Sequence, residues 1–198
     1  MASDAWSEVR AAALVDRVME GALAVLEGGR PLTFREVAVE SGVAERTIYR
    51  HFPSRQDLLT ALFEWSNRRM GFDGERPTDL DGAVALVRSA FPGFDELAPV
   101  VGELLTSPEG RAVRLADKAE RQDAALRLVR REAPALDRKS TRRVAAIVQL
   151  LMTAGTWQSL RDYWDLEGDE AAEAVALALT MLFNGADVRS RPSEGGSP

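Results

Sequence analysis

Apolar positions recur along this chain at helical spacing from end to end, and no stretch alternates with the period of two that a half-buried strand needs. Near the start, Leu14, Val15, Val18, Ala22 and Val25 form one face, and Gly28-Gly29 closes that helix. Thr33 with Glu36 then has the spacing of a capping box, so a second helix is predicted from about Phe34, with Phe34, Val37 and Ala38 facing inward. Gly42 supplies the backbone of a tight turn and Val43 re-enters the core. A short helix from Ala44 to about Phe52 buries Ile48 and Phe52 and turns Arg46, Tyr49 and Arg50 the other way, flanked by Thr47 and His51. Ser54 with Asp57 starts a further helix that carries Leu58, Leu59, Leu62 and Phe63 back underneath.

Beyond a link over Gly71–Leu80, the pattern stays helical, broken at Pro92-Gly93, Ser107-Pro108, Pro134 and Gly168, which predicts about five more helices. A long helix from about Asp137 carries one stripe of Val144, Ile147, Val148, Leu151 and Gly155, and another of Ala146, Leu150, Trp157, Leu160 and Trp164. The last helix is two-sided as well, with Val175, Ala178, Leu179 and Leu182 opposite Leu177 and Met181. Helices apolar on more than one side need burial on more than one side, and a second copy of the chain is the expected source. The fold class expected is all-α. An N-terminal helix-turn-helix domain over 1–70 precedes a larger effector-binding and dimerisation domain over 71–188 and a loose tail over 189–198.

Composition narrows the chemistry. The 198 residues are 45% hydrophobic, enough for a packed core, and contain no cysteine, which excludes disulfides, thiolate metal sites and a cysteine nucleophile. A net charge of -6 argues against a protein that coats DNA by bulk positive charge. Cations are instead concentrated locally: Arg46, Arg50, Arg55, Arg68 and Arg69 stand against only Asp57 and Glu64. The polar, acidic N-terminus has no signal-peptide pattern, so a cytoplasmic location is expected. The uncharged runs Val144–Leu160 and Ala174–Ala186 fall short of the roughly 20 apolar residues that span a bilayer, so no membrane partner is expected.

The face of the short helix points to nucleic acid. Guanidinium forks match guanine edges bidentately, and threonine and tyrosine hydroxyls reach phosphates. Enzyme chemistry has little to stand on: His51 is the sole histidine, and the acids Asp162, Asp165, Glu167, Asp169 and Glu170 lack the spacing of a calcium loop. No phosphate loop, nucleophile elbow or His-Glu metal motif is present, so no catalysis, metal or cofactor is expected. A helical adaptor that binds another protein is the other alternative, and Ala44 and Glu45, unusual on a DNA-reading helix, are the residues that favour it.

The segment VAVESGVAERTIYRHFPSRQDLL resembles the N-terminal domain of the TetR family of transcriptional regulators, from Leu32 to about Phe63. The resemblance implies a homodimeric regulator, in the usual case a repressor released from a palindromic operator by a small molecule. It implies DNA contacts by Thr33, Arg46, Thr47, Tyr49, Arg50, His51 and Arg55, the last in place of the family's usual lysine. It also implies an effector cavity behind the reader, for which Trp65, Phe91, Phe94, Met152, Thr153, Thr156 and Trp157 are candidates; the number of apolar side chains among them leans toward a hydrophobic or amphipathic ligand. Dimerisation through the last two helices would use Val144, Ile147, Val148, Leu151, Val175, Leu179 and Leu182. Ala44 departs from the family's frequent capping residue, at a cost of about 1 kcal/mol.

Overall fold

The computed structural model describes residues 2–72 and 74–189, and side chains within 9–184. The described residues form eleven helices and no strand: α1 (Ala2–Glu27), α2 (Phe34–Ser41), α3 (Glu45–His51), α4 (Arg55–Arg69), α5 (Leu80–Glu96), α6 (Ala98–Thr106), α7 (Pro108–Ala116), α8 (Lys118–Glu132), α9 (Arg138–Leu151), α10 (Ala154–Trp164) and α11 (Gly168–Arg189). The all-α class is as the periodicity predicts. The tail expected over 189–198 lies, beyond Arg189, outside the described residues.

Two units divide the chain. The first comprises α1 to α4 together with α6 and α7, and the second comprises α5 and α8 to α11. The expected boundary at 70–71 does not place α6 and α7 there. The reason is burial: Leu97, Val100, Leu104 and Val113 complete the same core as Val18, Met19 and Val25 of α1 and Leu58, Leu59 and Leu62 of α4.

Within the first unit, α1 and α2 approach closely. A Cβ on Gly21 would lie 2.7 Å from the Ser41 Cβ, so only a glycine lets these helices meet. Ser41 is buried there, and its hydroxyl donates to the Val37 carbonyl at 2.6 Å and accepts from the Val43 amide at 3.2 Å. The turn between α2 and α3 passes through Gly42 at φ 64°, the left-handed conformation expected of it.

In the second unit, the longest packing runs between α5 and α11, with α8 lying on α9. Pro92 does not break α5, contrary to expectation; the helix continues to Glu96, and the fully buried Phe91 beside it outweighs the hydrogen bond that proline cannot donate. The predicted long helix after Asp137 is two. It stops at Leu151, and Thr153 caps a new start by accepting the Thr156 amide. Asp95 then fastens three elements: its carboxylate accepts the Trp157 indole N–H at 2.9 Å and the backbone N–H of Gly168 at the head of α11. Seven helices therefore follow α4 where about five were expected.

Candidate nucleic-acid interface

Local signals place α2 and α3. Thr33 caps α2, its Oγ1 accepting the Glu36 amide at 3.2 Å. The reciprocal half of the expected box is replaced by an ion pair, Arg30 to Glu36 at 3.0 Å. Ser54 and Asp57 do form the full reciprocal box at the head of α4.

The two faces of α3 separate cleanly. Ile48 is fully buried and Phe52 nearly so, whereas Arg46, Tyr49, Arg50 and His51 are exposed and Thr47 is half-buried. Neither Arg46 nor Arg50 pairs with a carboxylate among the described residues, so both guanidinium forks keep their donors for a ligand. Tyr49 is 47% exposed and stacks on Phe34 of α2, with ring centroids 4.1 Å apart and planes 20° from parallel. That stack restricts the phenol to one side of α3 and keeps its hydroxyl outward.

Ala44 provides no side-chain cap, as its type requires, and Glu45 occupies the first turn. A carboxylate at that place favours the positive end of the helix dipole and partly offsets the missing cap, which gives the acid a structural role on an otherwise cationic helix.

Arg55 differs from expectation. Its guanidinium is shared among the Leu32 carbonyl (3.2 Å), Glu109 (2.6 Å) and Glu103, so it ties α4 to α6 and α7 and is not presented as a phosphate contact. Glu109 is held below the usual carboxylate range, chiefly by its own backbone amide at the start of α7 and further by Arg55.

Two cations escaped the sequence reading. Arg35 is exposed in the first turn of α2 and lines, with Thr33, Phe34, Glu45 and Tyr49, a hollow of about 440 Å³ beside the α3 face. Arg17 of α1 lies over Gly42, its Nη2 2.8 Å from the place a Cβ would occupy, so it borders the turn between the two helices. Position after a cap and the φ-positive turn were the only signals for either.

The other expected sites fall less neatly. Phe91, Phe94 and Trp157 form a ring cluster in the second unit, with centroid separations of 5.6 and 5.7 Å. Met152 is half-buried at the end of α9, and the hydroxyls of Thr153 and Thr156 both donate to the Leu150 carbonyl, which uses them in the α9–α10 break. Trp65 belongs elsewhere: it is buried in the core of the first unit, with Arg69 over its ring at 5.3 Å. Of the expected dimer face, Val148, Val175 and Leu179 are buried by their own chain, because they form the side of α9 and α11 that packs inward. Val144, Leu151 and Leu182 are half-buried, and Ile147 is exposed. The outward apolar side is the opposite stripe, with Leu150, Trp164, Leu177 and Met181 each more than half exposed.

Among the described residues no group of histidine and acidic side chains is arranged to hold a metal ion, and no helix is long and apolar enough to cross a membrane. Comparison with curated proteins and with solved structures yields no match. Residues 19–62, from α1 through α3 into α4, match the family model described as bacterial regulatory proteins, tetR family. Together with the exposed face of α3, that match marks residues 19–62 as similar to the helix-turn-helix, DNA-binding domain of TetR-family transcriptional regulators.

Proposed function

We propose that the protein is a repressor that occupies a near-palindromic operator as a homodimer and leaves it when a small apolar molecule binds the second unit. The observation that carries the reading is the exposed edge of α3, where Arg46 and Arg50 project without carboxylate partners beside Tyr49, which is steadied by Phe34, from a helix anchored by Ile48 and Phe52. Arg46 reads a base edge in the major groove, Arg50 and His51 border the backbone, and Thr33 and Thr47 donate hydroxyls to phosphates. Arg55 is assigned to holding the unit together.

A two-fold dimer places two such edges about one DNA turn, ~34 Å, or slightly more apart. The exposed apolar positions Ile147, Leu150, Trp164, Leu177 and Met181 supply the faces to be covered, and they lie on the helices the TetR resemblance points to. The Phe91–Phe94–Trp157 cluster, with half-buried Met152 close by in sequence, is the preferred effector site, since Phe94 is only partly buried and ring displacement would make room. An effector switches the protein only as far as it prefers one conformation over the other. The second unit thus carries ligand binding and dimerisation, the protein acts in the cytoplasm, and no catalytic step is assigned to it. A mobility-shift titration on the DNA flanking its own gene, across a salt series, tests the reading: saturable, salt-sensitive binding to one palindrome supports it, and the absence of any preferred duplex defeats it.

A further inference from the structure

We infer that the groove between α8 and α9 is a second ligand site, separate from the aromatic cluster, which takes a small amphipathic anion bearing a carboxylate or phosphate. The groove encloses about 490 Å³, within the roughly 300–1,000 Å³ range of small-molecule pockets. Its apolar floor is formed by the buried Ala125 of α8 and Ala145 of α9 with the half-buried Leu126 and Leu136, while Gln122, Thr141 and Gln149 and the exposed Arg130, Arg138 and Arg142 line its sides.

Charge sets this groove apart from most of the second unit. Between Arg127 and Arg143 seven cations stand against two acids, Glu132 and Asp137, in a protein whose net charge is -6. Both acids are occupied. Asp137 accepts the Lys139 and Ser140 amides as the cap of α9, and its carboxyl lies below the ordinary range, chiefly through the Ser140 amide. Glu132 accepts the Leu80 amide at 3.1 Å, and its ion pair is with Arg131.

Arg130, Arg138 and Arg142 pair with no carboxylate among the described residues. Three like charges around one hollow raise its potential, and an anion that enters relieves their repulsion while using the guanidinium forks bidentately. The apolar floor adds a preference for an alkyl or aryl tail.

The test is a calorimetric titration of the full chain with octyl phosphate and with octanoate, both below micelle formation, and with 1-octanol as the uncharged control. Saturable binding of at least one anion, about tenfold or more tighter than octanol and about tenfold weaker in the Arg138→Gln, Arg142→Gln double variant, is the expected result. Phe94→Ala is expected to leave it unchanged. Amide chemical-shift mapping on the unaltered protein keeps the idea testable if the double variant does not fold, with shifts centred on Leu126 and Ala145 expected. Equal affinity for octanol, unchanged affinity in the arginine variant, shifts centred on Trp157, or binding only to phosphatidylglycerol vesicles would each overturn the assignment. So would a result in which neither anion binds and the arginine variant loses affinity only for random duplex DNA.

Discussion

The rings of Phe34 and Tyr49 lie 4.1 Å apart and 20° from parallel, so the first residue of α2 sets the side chain that α3 presents. A stacked pair of this kind contributes about 0.5–1.5 kcal/mol beyond its buried area. Phe34→Ala is therefore expected to weaken specific DNA binding by roughly three- to tenfold by releasing Tyr49, with Tyr49→Phe keeping the stack and losing only the hydroxyl. Fluorescence anisotropy on a labelled operator measures both, and equal losses in the two variants would show that the stack has no part in positioning.

Arg55 and Glu109 make a structural prediction distinct from a DNA one. Arg55→Ala is expected to lower stability by about 1 kcal/mol, discounted for partial exposure, and to leave the salt dependence of DNA binding unchanged. The pH sense follows from Glu109. Its carboxyl is held low in the folded chain, so the stabilisation is present above the ordinary carboxylate range and is lost as pH falls through the depressed value. The stability gap between Arg55→Ala and the parent chain is thus expected to close on acidification, as followed by urea unfolding at several pH values. A reduced salt slope at neutral pH would instead mark Arg55 as a phosphate contact.

Asp95 accepts two N–H groups from different elements, which one amide oxygen in its place cannot do with the same geometry. Asp95→Asn is expected to cost about 1–3 kcal/mol and to shift Trp157 emission, since the indole loses a charged acceptor. Thermal unfolding followed by tryptophan fluorescence checks it; a parent-like melting temperature would show that the carboxylate is not a fastener.

The two stripes of α11 separate folding from assembly. Leu177→Glu, at an exposed position, is expected to shift the protein toward monomer in analytical ultracentrifugation with little change in helicity, whereas Leu179→Glu, fully buried, is expected to prevent folding. A dimer that persists in Leu177→Glu with Met181→Glu would place the interface elsewhere.

Much of the reader was legible in sequence because its signals are local. Thr33, Gly42 and Ser54 each dictate a cap or a turn within four residues, and Ile48 and Phe52 fix which way α3 faces. What could not be read depended on distant partners. Nothing near Arg55 in sequence announces Glu103 and Glu109, and nothing near Val148 or Leu179 shows which of two equivalent stripes the chain buries for itself. The α9–α10 break at Thr153 was hidden by continuous apolar spacing, and α5 continues through Pro92 because burial of Phe91 outweighs a local rule. Arg35 joins the reader's surroundings through packing of α2 against α3, and Arg17 through packing of α1 against α2.

The most direct test is the affinity of Arg46→Ala for a defined operator and for random duplex, measured side by side at one salt concentration. A loss of about 1–3 kcal/mol confined to the operator, concentrated at particular base pairs, is the expected result. Equal losses on both duplexes, or no loss on either, would contradict the claim that the exposed edge of α3 reads bases.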